Sequence, residues 1–89
     1  MPVVWIPSLL RELTNGQKSL PINGDTVRQV IENLERKYPG IKERLCDGDR
    51  LHPSISIVVD GQTSTLKLRH QLRESSEVYF VIAISGGKS

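Results

Sequence analysis

The residues with the most chemical promise stand together at the end of the chain, Gly86-Gly87 followed by Lys88-Ser89. Glycines have no Cβ, so two in succession let a backbone pass through a narrow channel and adopt dihedral angles closed to other residues. Three residues beyond Ile84 reach at most roughly 10 Å. That is enough to put the Gly87 carbonyl inside another protein's site while a folded body stays outside. Taken alone, a Gly-Gly near a C-terminus reads more simply as a pliant tail.

Other reactive side chains are sparse. Cys46 is the one cysteine, which excludes an internal disulfide. No neighbouring feature argues for a lowered thiol pKa, so it reads as a small, half-buried residue. His52 and His70 lack a nearby carboxylate or cysteine set that would suggest a triad or a metal site. Lys67, Arg69, His70 and Arg73 make the one local basic cluster, which could meet nucleic acid or an acidic partner and reads more simply as a solvated loop face. No acid/base pair, activated nucleophile or phosphate loop is visible, which argues against an enzyme.

The elements that must position the tail follow from periodicity. Val3 to Ile6 is a β-branched and aromatic run closed by Pro7, and Leu20 with Ile22 forms a second extended run before Asn23-Gly24. Thr14-Asn15-Gly16-Gln17 carries turn chemistry between them, predicting an opening hairpin. Leu9, Leu10 and Leu13 either extend the first strand or form a helical turn. Val27, Val30, Ile31, Leu34 and Tyr38 then repeat at helical spacing, with Asp25 or Thr26 as N-cap and Pro39-Gly40 as the stop. A brief helical turn is expected over Ile41 to Leu45, and a loop over Asp47-Gly48-Asp49.

Ser54 to Val59 alternates ahead of Asp60-Gly61, a strong hairpin signal, which places a partner strand within Gln62 to Leu68. Glu77 to Ile84 is a nearly continuous apolar run, read as a central strand buried on both faces. A buried final strand wants neighbours on either side. If it inserts beside the first strand, the helix covers one face of a mixed sheet, an α+β arrangement known as the β-grasp or ubiquitin-like fold. The expected division is a β-grasp domain over residues 1–84 and a flexible C-terminal tail over residues 85–89.

Bulk composition fits this reading. With 89 residues, 37% hydrophobic and 25% charged, the chain has room for one core. No stretch approaches the roughly 18 apolar residues of a membrane span, and Met1 to Ile6 does not look like a secretory leader, so the expected location is cytoplasmic. A net charge of +2, from twelve Lys/Arg against ten Asp/Glu, is mixed in sign and argues against nucleic acid as the main partner.

Several stretches carry a family likeness: Ile6-Pro7 with Leu10-Arg11, Gly16-Gln17-Lys18-Ser19, Gly24-Asp25-Thr26, Tyr38-Pro39-Gly40-Ile41, Glu43-Arg44-Leu45, Leu51-His52 and Gly86-Gly87. Through them the chain resembles the prokaryotic ubiquitin-like sulfur carriers, related to the molybdopterin-synthase small subunit and the thiamine sulfur carrier, and most of all those serving cysteine synthesis. The resemblance implies adenylation at Gly87 by an ATP-using, ubiquitin-activating-like enzyme and conversion to a thiocarboxylate. It also implies sulfur delivery to a biosynthetic enzyme, with Gly86 in the channel and no cofactor or metal bound by the chain itself. Family members usually end on the second glycine. The added Lys88-Ser89 resembles precursor extensions removed by a zinc peptidase of the JAMM type, some of them in siderophore pathways. Two other classes stay open: a modifier conjugated to lysines through the same end, and a β-grasp binding module with an inert tail.

Overall fold

A computed structural model describes residues 1–82. The opening hairpin pairs β1 (Val3–Trp5) antiparallel with β2 (Ser19–Pro21), with Val4 opposite Leu20. The leucines between them settle as a 3₁₀ helix over Ser8–Thr14, where Leu10 turns inward and Leu9 outward. The buried Thr14 hydroxyl, 3.1 Å from the Arg11 carbonyl and 3.0 Å from that of Gln17, closes the turn.

Helix α1 (Val27–Lys37) buries the stripe Val27, Val30, Ile31 and Leu34. Thr26 is its N-cap, accepting from the Gln29 amide at 3.2 Å, while the Gln29 side chain accepts from the Asp25 amide at 2.8 Å. Two otherwise orphan donors are satisfied by that exchange, a variant of the capping box. The chain passes so close to α1 just before the cap that a Cβ on Gly24 would lie 2.9 Å from the Val30 nitrogen. A larger residue there would force the loop off the helix. After Tyr38, Gly40 takes φ 101° and redirects the chain into α2 (Ile41–Leu45). The Glu35 carboxylate fastens the corner, accepting from the Gly40 amide at 3.1 Å and the Lys42 amide at 2.9 Å.

The loop expected at Asp47-Gly48-Asp49 is the tip of a small hairpin, β3 (Cys46–Asp47) with β4 (Arg50–Leu51), in which Gly48-Asp49 form the turn and Asp47 ends the first strand. Strand β5 (Ile55–Val59) follows, and its antiparallel partner β6 (Gln62–Thr63) lies within the stretch Gln62 to Leu68 where it was expected, occupying the first two residues of it. Leu68 lies instead in a 3₁₀ turn, Lys67–Arg69, because Ser64 turns inward and the Leu68 side chain is buried there.

The last strand, β7 (Glu77–Ile82), lies at the centre of the main sheet, whose order is β2-β1-β7-β5-β6. It runs parallel to β1 and antiparallel to β5. The expectation of burial on both faces is corrected. Val78 and Phe80 are buried, whereas Tyr79 and Val81 are exposed, because the helices cover one face only. Inward residues of the sheet, among them Val4, Ile57, Val78 and Phe80, meet Val30, Ile31 and Leu34 of α1 in one core. This mixed sheet with a helix across one face is the β-grasp, as expected.

Candidate functional site

Gly86, Gly87, Lys88 and Ser89, together with the expected boundary at residue 84, lie outside the described residues. What the structure defines is the root from which they issue. Ile82 is paired with Ile55, and β7 is held by five such pairs to β5 and three to β1. The last described residue, Ile82, is thus fixed in the middle strand of the sheet.

Beside this root lies a shallow apolar hollow of about 240 Å³ lined by Pro7, Ser8, Leu9, Phe80, Val81 and Ile82. Leu9 is 59% and Val81 48% exposed. On the same uncovered face the register sets Trp5 opposite Tyr79. Their rings stack with centroids 5.2 Å apart and planes 5° from parallel. Glu77 Oε1 accepts from Trp5 Nε1 at 3.1 Å and lies 3.4 Å from the Tyr79 hydroxyl. Loss of hydration over its ring holds the Tyr79 phenol above the ordinary tyrosine range, and the Glu77 charge adds to that. The tail root is thus flanked by a firm aromatic and aliphatic surface with one polar anchor, a composition typical of protein-binding patches.

Sequence reasoning did not single out this surface. Trp5 and Tyr79 are far apart in the chain and come together only through the parallel pairing of β1 and β7. The apolar run of β7 also hides its alternation.

The remaining candidates are accounted for structurally. Cys46 is buried, more deeply than expected, and that burial pushes its thiol pKa up against the opposing pull of Lys42 and Arg28. A thiol in that state is a poor nucleophile. His52 Nδ1 lies 2.8 Å from Ser54 Oγ, and His70 Nδ1 lies 2.7 Å from the buried Ser64 Oγ. Among the described residues no group of three or more His, Cys, Asp and Glu is placed to hold a metal ion, and no helix is long and apolar enough to cross a membrane.

The ThiS family model matches residues 4–87. The chain belongs to the ThiS family. It is 37% identical over 89 aligned positions to the sulfur carrier protein CysO of Mycobacterium tuberculosis, an alignment covering 94% of this chain and 96% of that one. Among solved structures, this family member is similar to the CysO of an Amycolatopsis orientalis BexX/CysO complex, with a TM-score of 0.91 and 30% identity, covering 98% of this chain and 100% of that one. M. tuberculosis CysO gives a TM-score of 0.87 at 35% identity over 94% of this chain and 100% of that one. The small archaeal modifier protein 1 of Methanosarcina acetivorans gives 0.82 at 30% identity over 97% and 95%.

Proposed function

We propose that this ThiS-family protein carries sulfur as a thiocarboxylate on Gly87 and supplies it to a biosynthetic enzyme. The observation that carries the reading is the extent of the family match, which runs through Gly87 and stops before Lys88. The likeness to sulfur carrier protein CysO supports it, and so does a tail rooted on the central strand.

The chemistry follows from what a carboxylate lacks. Its charge is delocalised and its oxygen leaves badly, so it must be activated before sulfur can enter. A free Gly87 carboxylate attacks the α-phosphate of ATP within the adenylating partner, expelling pyrophosphate and forming an acyl adenylate. Sulfide then attacks the acyl carbon, AMP leaves, and loss of the sulfur's proton gives the thiocarboxylate. The chain acts as a co-substrate in these steps and not as an enzyme, binding no cofactor of its own. The uncovered face around Trp5, Tyr79 and Val81 docks the partner, and Gly86 occupies the narrow approach to its site. A complex such as that of the Amycolatopsis CysO with BexX is the kind of assembly this geometry suits.

Because Lys88 follows Gly87, the Gly87 carbonyl is an amide with no carboxylate to activate. Trimming therefore precedes function, and a zinc peptidase of the JAMM type, whose metal-bound water attacks the Gly87-Lys88 bond, fits a glycine-lined cleavage site. The test is ATP-pyrophosphate exchange with a candidate adenylating enzyme, comparing the chain ending at Ser89 with one ending at Gly87. Exchange is expected only for the latter. Equal exchange by both would overturn the precursor reading, and exchange by neither would overturn adenylation by that enzyme.

A second reading is favoured by the likeness to the archaeal modifier protein. The same acyl adenylate transferred to lysine amines would make the chain a protein modifier. Covalent conjugates on a denaturing gel, present in this reading and absent in the first, separate the two.

A further inference from the structure

The basic loop cluster seen in the sequence does not stay together. His70, bonded to Ser64, and Arg73 line one hollow with Gln62 and Ser76, apart from the other two cations. Lys67 and Arg69 instead join Arg28 of α1 and Arg50 of β4 around one cleft of about 510 Å³. Two carboxylates, Asp47 and Asp49, share its lining. Even so, among the described residues none of the four cations lies within ion-pair distance of a carboxylate. Arg28 reaches only the Asp49 main-chain carbonyl, at 3.3 Å. Leu66, 51% exposed, also lines this cleft. Lys67 is held in place with left-handed backbone, φ 54°, by the bond from its amide to Ser64 Oγ at 3.0 Å.

We propose that this cleft docks an acidic segment of a partner protein, one with an apolar side chain between its carboxylates. Four cations against two carboxylates leave a net attraction for anions. The exposed leucine would gain nothing from a bare oxyanion, and a cleft of this size is far larger than one oxyanion fills. A nucleic-acid strand is disfavoured because Asp47 and Asp49 would face its phosphates. A peptide suits all three features at once. Its carboxylates meet the arginines, its apolar side chain covers Leu66, and its main-chain N–H groups can donate to the two aspartates.

The cleft is also well sited. The chain runs from Arg50 of β4 through a turn at His52 into β5, whose first residue, Ile55, pairs with Ile82 at the tail root. A partner that draws in the tail therefore has a second hold on the body within reach. The proposal is independent of the sulfur chemistry assigned to Gly87.

The test is an NMR titration of the ¹⁵N-labelled full chain with three probes: a heptapeptide of glutamates around a central leucine, the same peptide with serine in place of leucine, and inorganic phosphate. The leucine peptide should shift the amides of Arg50, Leu66 and Arg69 and bind about fivefold more tightly than the serine peptide, the value of partly burying one leucine. Arg50→Glu with Arg69→Glu should weaken it on the order of tenfold, as for roughly two exposed ion pairs. Both residues are exposed, so the remaining spectrum should be unchanged. If that variant nevertheless misfolds, Leu66→Ser carries the test, since it should abolish the preference for leucine over serine. Equal binding of the two peptides, the same shifts from phosphate alone, or no shift at millimolar peptide would each overturn the proposal.

Discussion

Gly86 and Gly87 divide one task between them in the proposed reaction. Gly87 supplies the reacting carbonyl, whereas Gly86 lets the chain reach it without a side chain against the channel wall. Gly86→Ala, in a chain ending at Gly87, should therefore leave affinity for the adenylating partner near normal and cut the adenylation rate on the order of a hundredfold, since a misplacement of about 1 Å can cost that much. Calorimetry for binding and pyrophosphate exchange for rate measure the two separately. Adenylation at the unmodified rate would remove Gly86 from the channel. Cys46 offers a contrast at the same scale: its type suggests sulfur chemistry, but burial raises the thiol pKa and so disfavours the nucleophilic thiolate.

Among the elements, the α1–α2 corner shows how a polar side chain can act as part of the backbone. Glu35 accepts main-chain hydrogen bonds from Lys42 and Gly40, and these hold its carboxyl below the usual glutamate range. A carboxyl more acidic in the folded than in the unfolded chain stabilises the fold at pH above the unfolded value, about 4.3. That contribution is lost as pH falls through the folded value. Glu35→Gln should consequently lower the melting temperature at neutral pH and flatten its decline below about pH 4.3. Melting curves followed by circular dichroism across pH 2 to 7 would check this. An unaltered acid limb in the variant would mean that other carboxylates dominate acid unfolding.

For the molecule as a whole, covering only one face of the sheet leaves Tyr79 and Val81 exposed on the other, the face on which the proposed function places its partner. Val81 is exposed on that face and its neighbours Phe80 and Ile82 turn inward or are half-buried. Val81→Glu should then weaken binding of the adenylating partner by about tenfold or more, in the range of an interface residue that matters. It should shift the melting temperature little, as substitutions of exposed residues usually do. The stacked Trp5–Tyr79 pair keeps the same surface rigid, a stack worth about 0.5–1.5 kcal/mol beyond the area it buries. Unchanged affinity in Val81→Glu would move the docking site elsewhere on the body.

Local signals were enough for the elements whose information is local. The stripe from Val27 to Leu34, the Thr26 cap, the stop at Pro39-Gly40 and the Asp60-Gly61 turn all depend on residues within a few positions of one another. Sequence alone also held the Gly86-Gly87 motif and the family likeness. Three features were decided only by tertiary structure. Strand β7 reads as uniformly apolar, and its two faces become different only when helices pack on one of them. The basic cleft takes Arg28, Arg50, Lys67 and Arg69 from three separate elements, so no window of sequence contains it. Trp5 meets Tyr79 because β1 and β7 pair in parallel across nearly the whole described chain. Hydrogen-bond geometry and side-chain period act over a few residues, whereas the choice of which faces are buried is made by the core as a whole.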